Sequence, residues 1–436
     1  AEAVAETVPE LVKEKIASRI FSQDATIWGK EAEAESSIRL GWVDAASESL
    51  ELLTDLRTLK FQHDQKELNR VVLCGMGGSS LAPEVIAATV RKELVVLDST
   101  YPSQVLAALT TNLDKTVVVV SSKSGSTVET DSQKRVFEEA FDKAGIDKKE
   151  RIIIVTDPSS PMHNQALKDG YRVFLANPNV GGRFSALTAF GAVPSVLAGV
   201  DMEPILLDAV NAREVLCEDS SMNPALILGA AMARTKSRGG LKNKLGIVTT
   251  SKQVVGFGNW MEQLIAESTG KIGRGVLPVV LTSDSAELYS KPDDLITVGI
   301  VDDASQGEFD VSVSGSLGEQ LLLWEVATAV ASRLLGVNPF DQPDVESAKI
   351  ASRSFLESQS QSVAPLFSKS GLAVSEKNLA LSSDSSLEDA ITSLVESAGP
   401  ESYFSIHAYL DRNRDVSFEH LREMIARKTG RPTTFG

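Results

Sequence analysis

Apolar positions fall at helical spacing in residues 7 to about 68 (Val8, Leu11, Val12, Ile16, Ile20), which predicts a mostly helical N-terminal segment. From Arg70 the pattern changes. "RVVLCGMGGSS" reads as a strand running into glycines, and "LAPEVIAATVRK" as a helix. "ELVVLDST" is a second strand, "QVLAALTTN" a short helix and "TVVVVSSKS" a third strand. "TVETDSQKRVFEEAFDKAG" is an amphipathic helix and "RIIIVTDP" a fourth strand. The strands are apolar almost throughout instead of alternating, and helices separate them. That combination belongs to a parallel sheet buried on both faces, an α/β arrangement.

A weaker copy of the plan follows. "KLGIVTTS" predicts a strand, "FGNWMEQLIAES" a helix, "LPVVLT" and "LITVGIVDD" further strands, and "EQLLLWEVATAVASRLLG" a strongly apolar helix. Residues 357–388 are rich in serine and polar groups and predict a surface excursion. A tail with one strand-like run ("YFSIHAYL") and one helix ("FEHLREMIARK") ends the chain. The expected units are a helical segment at 1–68, one α/β domain at 69–220, a second at 221–356, and the excursion and tail at 357–436.

Composition narrows the function classes. The 436 residues carry a net charge of −16, against the basic surface that sequence-independent nucleic-acid binding requires. No apolar run approaches the roughly 18 residues that span a bilayer, and the acidic N-terminus lacks a signal-peptide pattern. Two isolated cysteines, Cys74 and Cys217, suit a reducing cytoplasm and read as small buried residues. The four histidines are scattered without metal-ligand spacing, so no catalytic metal and no cofactor are expected. His407 alternates within an apolar run and reads as a core residue.

The chemistry concentrates where strands end. In "SSKSGSTVET", Ser121, Ser122, Ser124, Ser126 and Thr127 crowd around Lys123 and Gly125 directly after a buried strand. Ser126 and Glu129 make a capping-box pair that predicts a helix start here, and helix N-termini favour phosphate. The bland alternative is a polar capped loop. "GMGGSS" (75–80) ends the neighbouring strand in the same way; it matches the dinucleotide fingerprint only in part, because Ser80 stands at the third glycine. It reads as a second loop, with Gly78 and Ser79 facing the first, and the pair suits a phosphomonoester. "GGRFSALTAFG" sets Arg183 behind Gly181 and Gly182, either as a helix-start charge or as an anion stabiliser. "NWMEQLIAESTGK" offers Glu262, a boundary charge on its helix, and Glu267, at the helix end, as a solvated residue or a general base. "NPFDQPDVESAK" offers Gln342 and Lys349, which alone would read as surface.

These segments, in this order, resemble the phosphoglucose isomerase family over residues 70 to about 350. "SSKSGSTVET" is similar to the family's SKTxTTxET phosphate loop, and "GGRFSALTAFG" to GGRYSxxSxxG. "AESTGK" is similar to its ESNGK segment, and "FDQPDVESAK" to FDQxGVExGK. The resemblance implies two sugar-isomerase-type doubly wound parallel-sheet domains with an N-terminal helical segment and a small C-terminal α/β tail. It also implies interconversion of glucose and fructose 6-phosphates through a cis-enediolate, phosphomannose or dual-specificity isomerisation and non-catalytic sugar-phosphate binding being the alternatives. Ser79, Ser122, Ser124 and Thr127 would hold phosphate together with Gly78, Gly182 and Lys123; Glu267 would move the proton. Arg183 would stabilise the enediolate oxygen, Gln342 would contact substrate and Lys349 would assist ring opening. The wording is closest to an actinobacterial branch, which occurs alone or fused behind a transaldolase and so implies a link to transaldolase; the family at large implies a homodimer. It also implies further chain beyond "GRPTTFG", since no histidine lies between His163 and His407 for the family's ring-opening role.

Overall fold

The computed structural model describes residues 1–237, 240–357, 364–369, 371–376 and 378–436. Strands β1 (Arg70–Gly75), β2 (Val95–Leu97), β3 (Thr116–Ser121), β4 (Ile152–Thr156) and β5 (Arg172–Leu175) form one sheet in the order β2-β1-β3-β4-β5. Every pairing in it is parallel. Strands β6 (Lys244–Thr249), β7 (Leu277–Leu281), β8 (Leu295–Ile300) and β9 (Val311–Val313) form a second parallel sheet, ordered β9-β8-β6-β7. In each sheet the first strand is flanked by the second on one side and by the third on the other. The two sheets therefore share one topology, as the repeated sequence pattern predicted.

The register follows from burial. Every residue of β3 and β4 is buried, which leaves a continuous apolar run no option but a central position. β5 and β9 were missed because neither carries a continuous buried apolar run: Arg172 and Leu175 of β5 are exposed, and only Val313 of β9 is buried.

One contiguous apolar core runs from Val8 to Phe340 and joins both sheets. Its spine is helix Leu317–Leu335, nearly all of whose residues are buried. Gly229 of helix Pro224–Arg234 lets that helix approach so closely that a Cβ there would lie 2.7 Å from Val330. The N-terminal helices join the same core: Trp28 donates its indole N–H to the Ala329 carbonyl at 3.0 Å.

The C-terminal tail docks across both sheets. Its parallel strands β10 (Phe404–Ile406) and β11 (Thr433–Phe435) pack with helix His420–Thr429. Arg412 pairs with Glu84 and, at 2.8 Å, with Asp98 on the side of the first sheet, while Arg422 reaches Glu287 of the second at 2.6 Å. Two expectations fail here. His407 is exposed beside Ser405 (2.8 Å) instead of lying in the core, because the strand stops at Ile406. Cys217 is half-buried, beyond the end of helix Met202–Leu216, whereas Cys74 in β1 is buried as expected. Of the serine-rich excursion, 358–363, 370 and 377 lie outside the described residues. No described helix is long and apolar enough to cross a membrane.

Candidate active site

Because β1 lies between β2 and β3, the connections leaving β1 and β3 diverge to opposite sides of the sheet and open a crevice at their C-terminal ends. The two loops flagged in the sequence, 76–80 and 122–127, leave those strands. In the second loop Ser122 Oγ lies 3.1 Å from Thr127 Oγ1 and accepts from Gly125 N at 3.2 Å. Ser124 Oγ lies 3.0 Å from Ser126 Oγ. Gly125 is required: its φ is +64° and a Cβ would lie 2.7 Å from Met162 Cβ. The predicted capping box is not formed. Helix Val128–Ala144 starts with Thr127 at the N-cap and no side-chain cap bond, because the hydroxyls bond to one another. Lys123 is turned aside as well, its ammonium held by Asp157 Oδ2 at 2.5 Å and by the Pro178 carbonyl at 3.2 Å.

The first loop abuts the arginine loop. A Cβ on Gly78 would lie 2.0 Å from the Gly182 carbonyl oxygen, so the two backbones are in contact, and Ser185 Oγ donates to that carbonyl at 2.6 Å. This contact turns Arg183, only 4% exposed, into the crevice wall. Arg183 Nε donates to Ser268 Oγ at 2.9 Å, and Nη2 to the carbonyls of Pro339 and, at 2.9 Å, of Asp341. Nη1 faces Glu267 Oε2 and Gln342 Oε1, each at 3.4 Å. Burial lowers the guanidinium pKa, opposed by the nearby Glu267 and Asp341 carboxylates.

Glu267 stands in the last turn of helix Phe257–Thr269, its side chain 28% exposed. Its second oxygen, Oε1, accepts from Gln263 Nε2 at 3.1 Å. One carboxylate oxygen is thus oriented by an amide and the other faces a guanidinium, the arrangement of a held base beside an anion stabiliser. Gln263 was missed in the sequence, although its position one turn before Glu267 was a usable signal. Lys349 is not brought into this cluster by any described contact with it; it is exposed on helix Pro343–Glu357, seven residues beyond Gln342. Two cavities of about 850 and 940 Å³ lie along the second sheet and contain none of these groups.

The profile of the phosphoglucose isomerase family matches residues 51–282, more than half of the chain. The chain belongs to that family. It is 27% identical over 376 residues to the glucose-6-phosphate isomerase of Acholeplasma laidlawii, covering 71% of this chain and 88% of that protein. It is 33% identical over 255 residues to the enzyme of the same name from Thermus thermophilus, covering 55% and 58%. The fold is shared with a hypothetical protein from Thermus thermophilus, at TM-score 0.68 and 24% identity over 82% of this chain and 97% of that one. It is shared also with a glucose-6-phosphate isomerase from Chlamydia trachomatis, at TM-score 0.60 and 19% identity over 79% and 78%. The phosphoglucose isomerase profile includes both hydroxyl-bearing loops, Arg183 and Glu267, and stops short of Gln342 and Lys349.

Proposed function

We propose that this chain interconverts D-glucose 6-phosphate and D-fructose 6-phosphate. Starting from the aldose, the Glu267 carboxylate takes the C2 proton, and the C–H electron pair becomes the C1=C2 bond. The carbonyl π pair moves to O1, next to Arg183 Nη1. The proton then returns from Glu267 to C1 while the hydroxyl proton passes from O2 to O1, leaving the carbonyl at C2. Such a transfer needs one placed carboxylate and one anion stabiliser, and no redox partner.

Phosphate is assigned to Ser79, Ser122, Ser124 and Thr127, with the backbones of Gly78, Lys123 and Gly182. Neutral hydroxyls and a helix N-terminus give local affinity for an anion despite a net charge of −16. Gln342 is assigned a substrate contact, and Lys349 assistance in ring opening. The domain limits 69–220 and 221–356, a cytoplasmic homodimer and a link to transaldolase complete the reading; the limits rest on the hydrophobic pattern, the compartment on the cysteine usage, and the dimer and the transaldolase link on the family resemblance.

The observation that carries the proposal is the meeting of Arg183 with Glu267 and Gln342, 84 and 159 residues away in the chain, at one guanidinium nitrogen. The test is turnover of fructose 6-phosphate by the purified chain, coupled to a glucose-6-phosphate dehydrogenase, beside Glu267→Gln. Loss of roughly 10²–10⁴-fold in kcat in the variant is expected. Equal turnover in both would move the base elsewhere, and no turnover by the parent chain would overturn the isomerase assignment.

A further inference from the structure

Beneath the crevice a second buried cation does work that the proposed proton transfer does not assign. Lys271, two residues past the end of helix Phe257–Thr269, is 6% exposed. Its ammonium donates to the Asn338 carbonyl, to the Asp341 carbonyl at 2.7 Å and to Asp341 Oδ1 at 2.5 Å. Arg183 Nη2 approaches the same loop and donates to the carbonyls of Pro339 and Asp341. The Asp341 carbonyl oxygen therefore receives both cations, and the next residue along the chain is Gln342.

The lysine backbone is itself pinned. Lys271 N donates to the Arg274 carbonyl at 3.0 Å, Arg274 N returns a bond to the Lys271 carbonyl at 2.9 Å, and Arg274 Nη1 reaches the Leu335 carbonyl at 2.8 Å. The turn at 270–275 and the loop at 335–341 are stitched together at three carbonyls, those of Leu335, Asn338 and Asp341. Buried carbonyls of an irregular loop need donors, and an ammonium supplies three in a compact group.

We propose that Lys271 is a positioning residue of the isomerase site: clamped with Asp341, it fixes loop 338–341 so that Gln342 and Arg183 Nη1 face the same point. This rests on the isomerase reading above. Lys271 itself has no route to a substrate, since it is buried and its three donors are engaged. The groups facing the ammonium are Asp341 from the loop, Arg183 from the arginine turn and Glu267 from the helix. Burial lowers its pKa to about 8, Arg183 acts in the same direction, and Asp341 and Glu267 oppose them. The clamp accordingly loosens as pH rises through about 8, when the ammonium loses the proton that engages Asp341.

The test uses the whole chain with Lys271→Met and Lys271→Arg. Steady-state kinetics on fructose 6-phosphate are followed from about pH 6.5 to about pH 9.5, and amide hydrogen exchange of loop 336–342 is read on the same proteins. Expected for Lys271→Met is a fall in kcat/KM of about 10–100-fold near neutrality, with loss of loop protection and of the alkaline decline. Lys271→Arg should recover most of the activity and move that decline upward, because a guanidinium stays charged there. Lost loop protection with unchanged kcat/KM would overturn the positioning role, as would unchanged protection in Lys271→Met. Should Lys271→Met fail to fold, an alkaline decline in Lys271→Arg at the parent's pH would overturn it. Absence of turnover in the parent chain is a different result: it removes the isomerase reading, while loop protection in the variants still reports on the clamp.

Discussion

Arg183 Nη1 lies 3.4 Å from Glu267 Oε2, while the rest of the guanidinium is consumed by Ser268 Oγ and the carbonyls of Pro339 and Asp341. The arginine is thus both a structural hub and, through one nitrogen, a group aimed at the crevice. Arg183→Lys keeps the charge but cannot reproduce a planar fork with donors on three sides. It should lower kcat by roughly 10²–10³, the usual effect of removing an oxyanion donor. Leaving buried acceptors unpaired costs about 1–3 kcal/mol each, so the urea midpoint should fall as well. A variant with a lowered midpoint and normal kcat would restrict Arg183 to scaffolding.

Gly78 and Gly182 touch through their backbones, but the contact is one-sided. A Cβ on Gly78 would lie 2.0 Å from the Gly182 carbonyl oxygen, whereas a Cβ on Gly182 has nothing within 4 Å. Gly78→Ala must therefore push the arginine loop away and should destabilise by about 1–3 kcal/mol, with a raised KM for fructose 6-phosphate. Gly182→Ala should melt within about a degree or two of the parent. Equal melting temperatures for the two variants would mean that the crevice wall yields without cost.

The central strands were legible because burial on both faces writes itself as an unbroken apolar run, as in "VVVV" of β3 and "IIIV" of β4. β5, with Arg172 and Leu175 turned outward, carries no such mark. The hydroxyl loop was legible as a cluster, but its internal bonding was not: Ser122 pairs with Thr127 and Ser124 with Ser126, so the predicted cap at Ser126 lost the local competition. Arg183, Glu267 and Gln342 were each singled out with a bland alternative left open, and only the family resemblance joined them in one site, since nothing in their spacing brings positions 84 and 159 residues apart together. Lys271 stood inside a quoted motif and was not singled out. Its burial comes from loop 338–341, which only the tertiary fold supplies.

Lys123 and Asp157 form a partly buried pair at 2.5 Å, in which burial lowers the lysine pKa and raises that of the aspartate. The carboxylate thereby competes with any phosphate for the ammonium. Asp157→Asn should release Lys123 toward the cradle and strengthen competition by inorganic phosphate against fructose 6-phosphate, lowering its inhibition constant about 3–10-fold. Lys123→Met should leave that constant near the parent value, because the ammonium is already engaged. Unchanged inhibition in Asp157→Asn would show that the ammonium does not reach the anion even when freed.

Glu262 and Glu267 share one helix and differ in surroundings. Burial with no charged partner raises the Glu262 carboxyl to about 7, while Glu267 is flanked by Gln263 and Arg183. A raised carboxyl pKa means that the folded chain holds a proton which the unfolded chain releases. The resulting stability is complete below the ordinary glutamate range and is lost as pH rises from there through about 7. Glu262→Gln removes that dependence. Its melting temperature should equal the parent's near about pH 4.5 and exceed it above about pH 7.5, by the equivalent of about 1–3 kcal/mol. Parallel melting profiles across that range would contradict the burial argument. Turnover supplies the second reading: with Glu267 as base, Glu262→Gln keeps its kcat, whereas a collapse in Glu262→Gln beside an active Glu267→Gln would transfer the proton-moving role to Glu262.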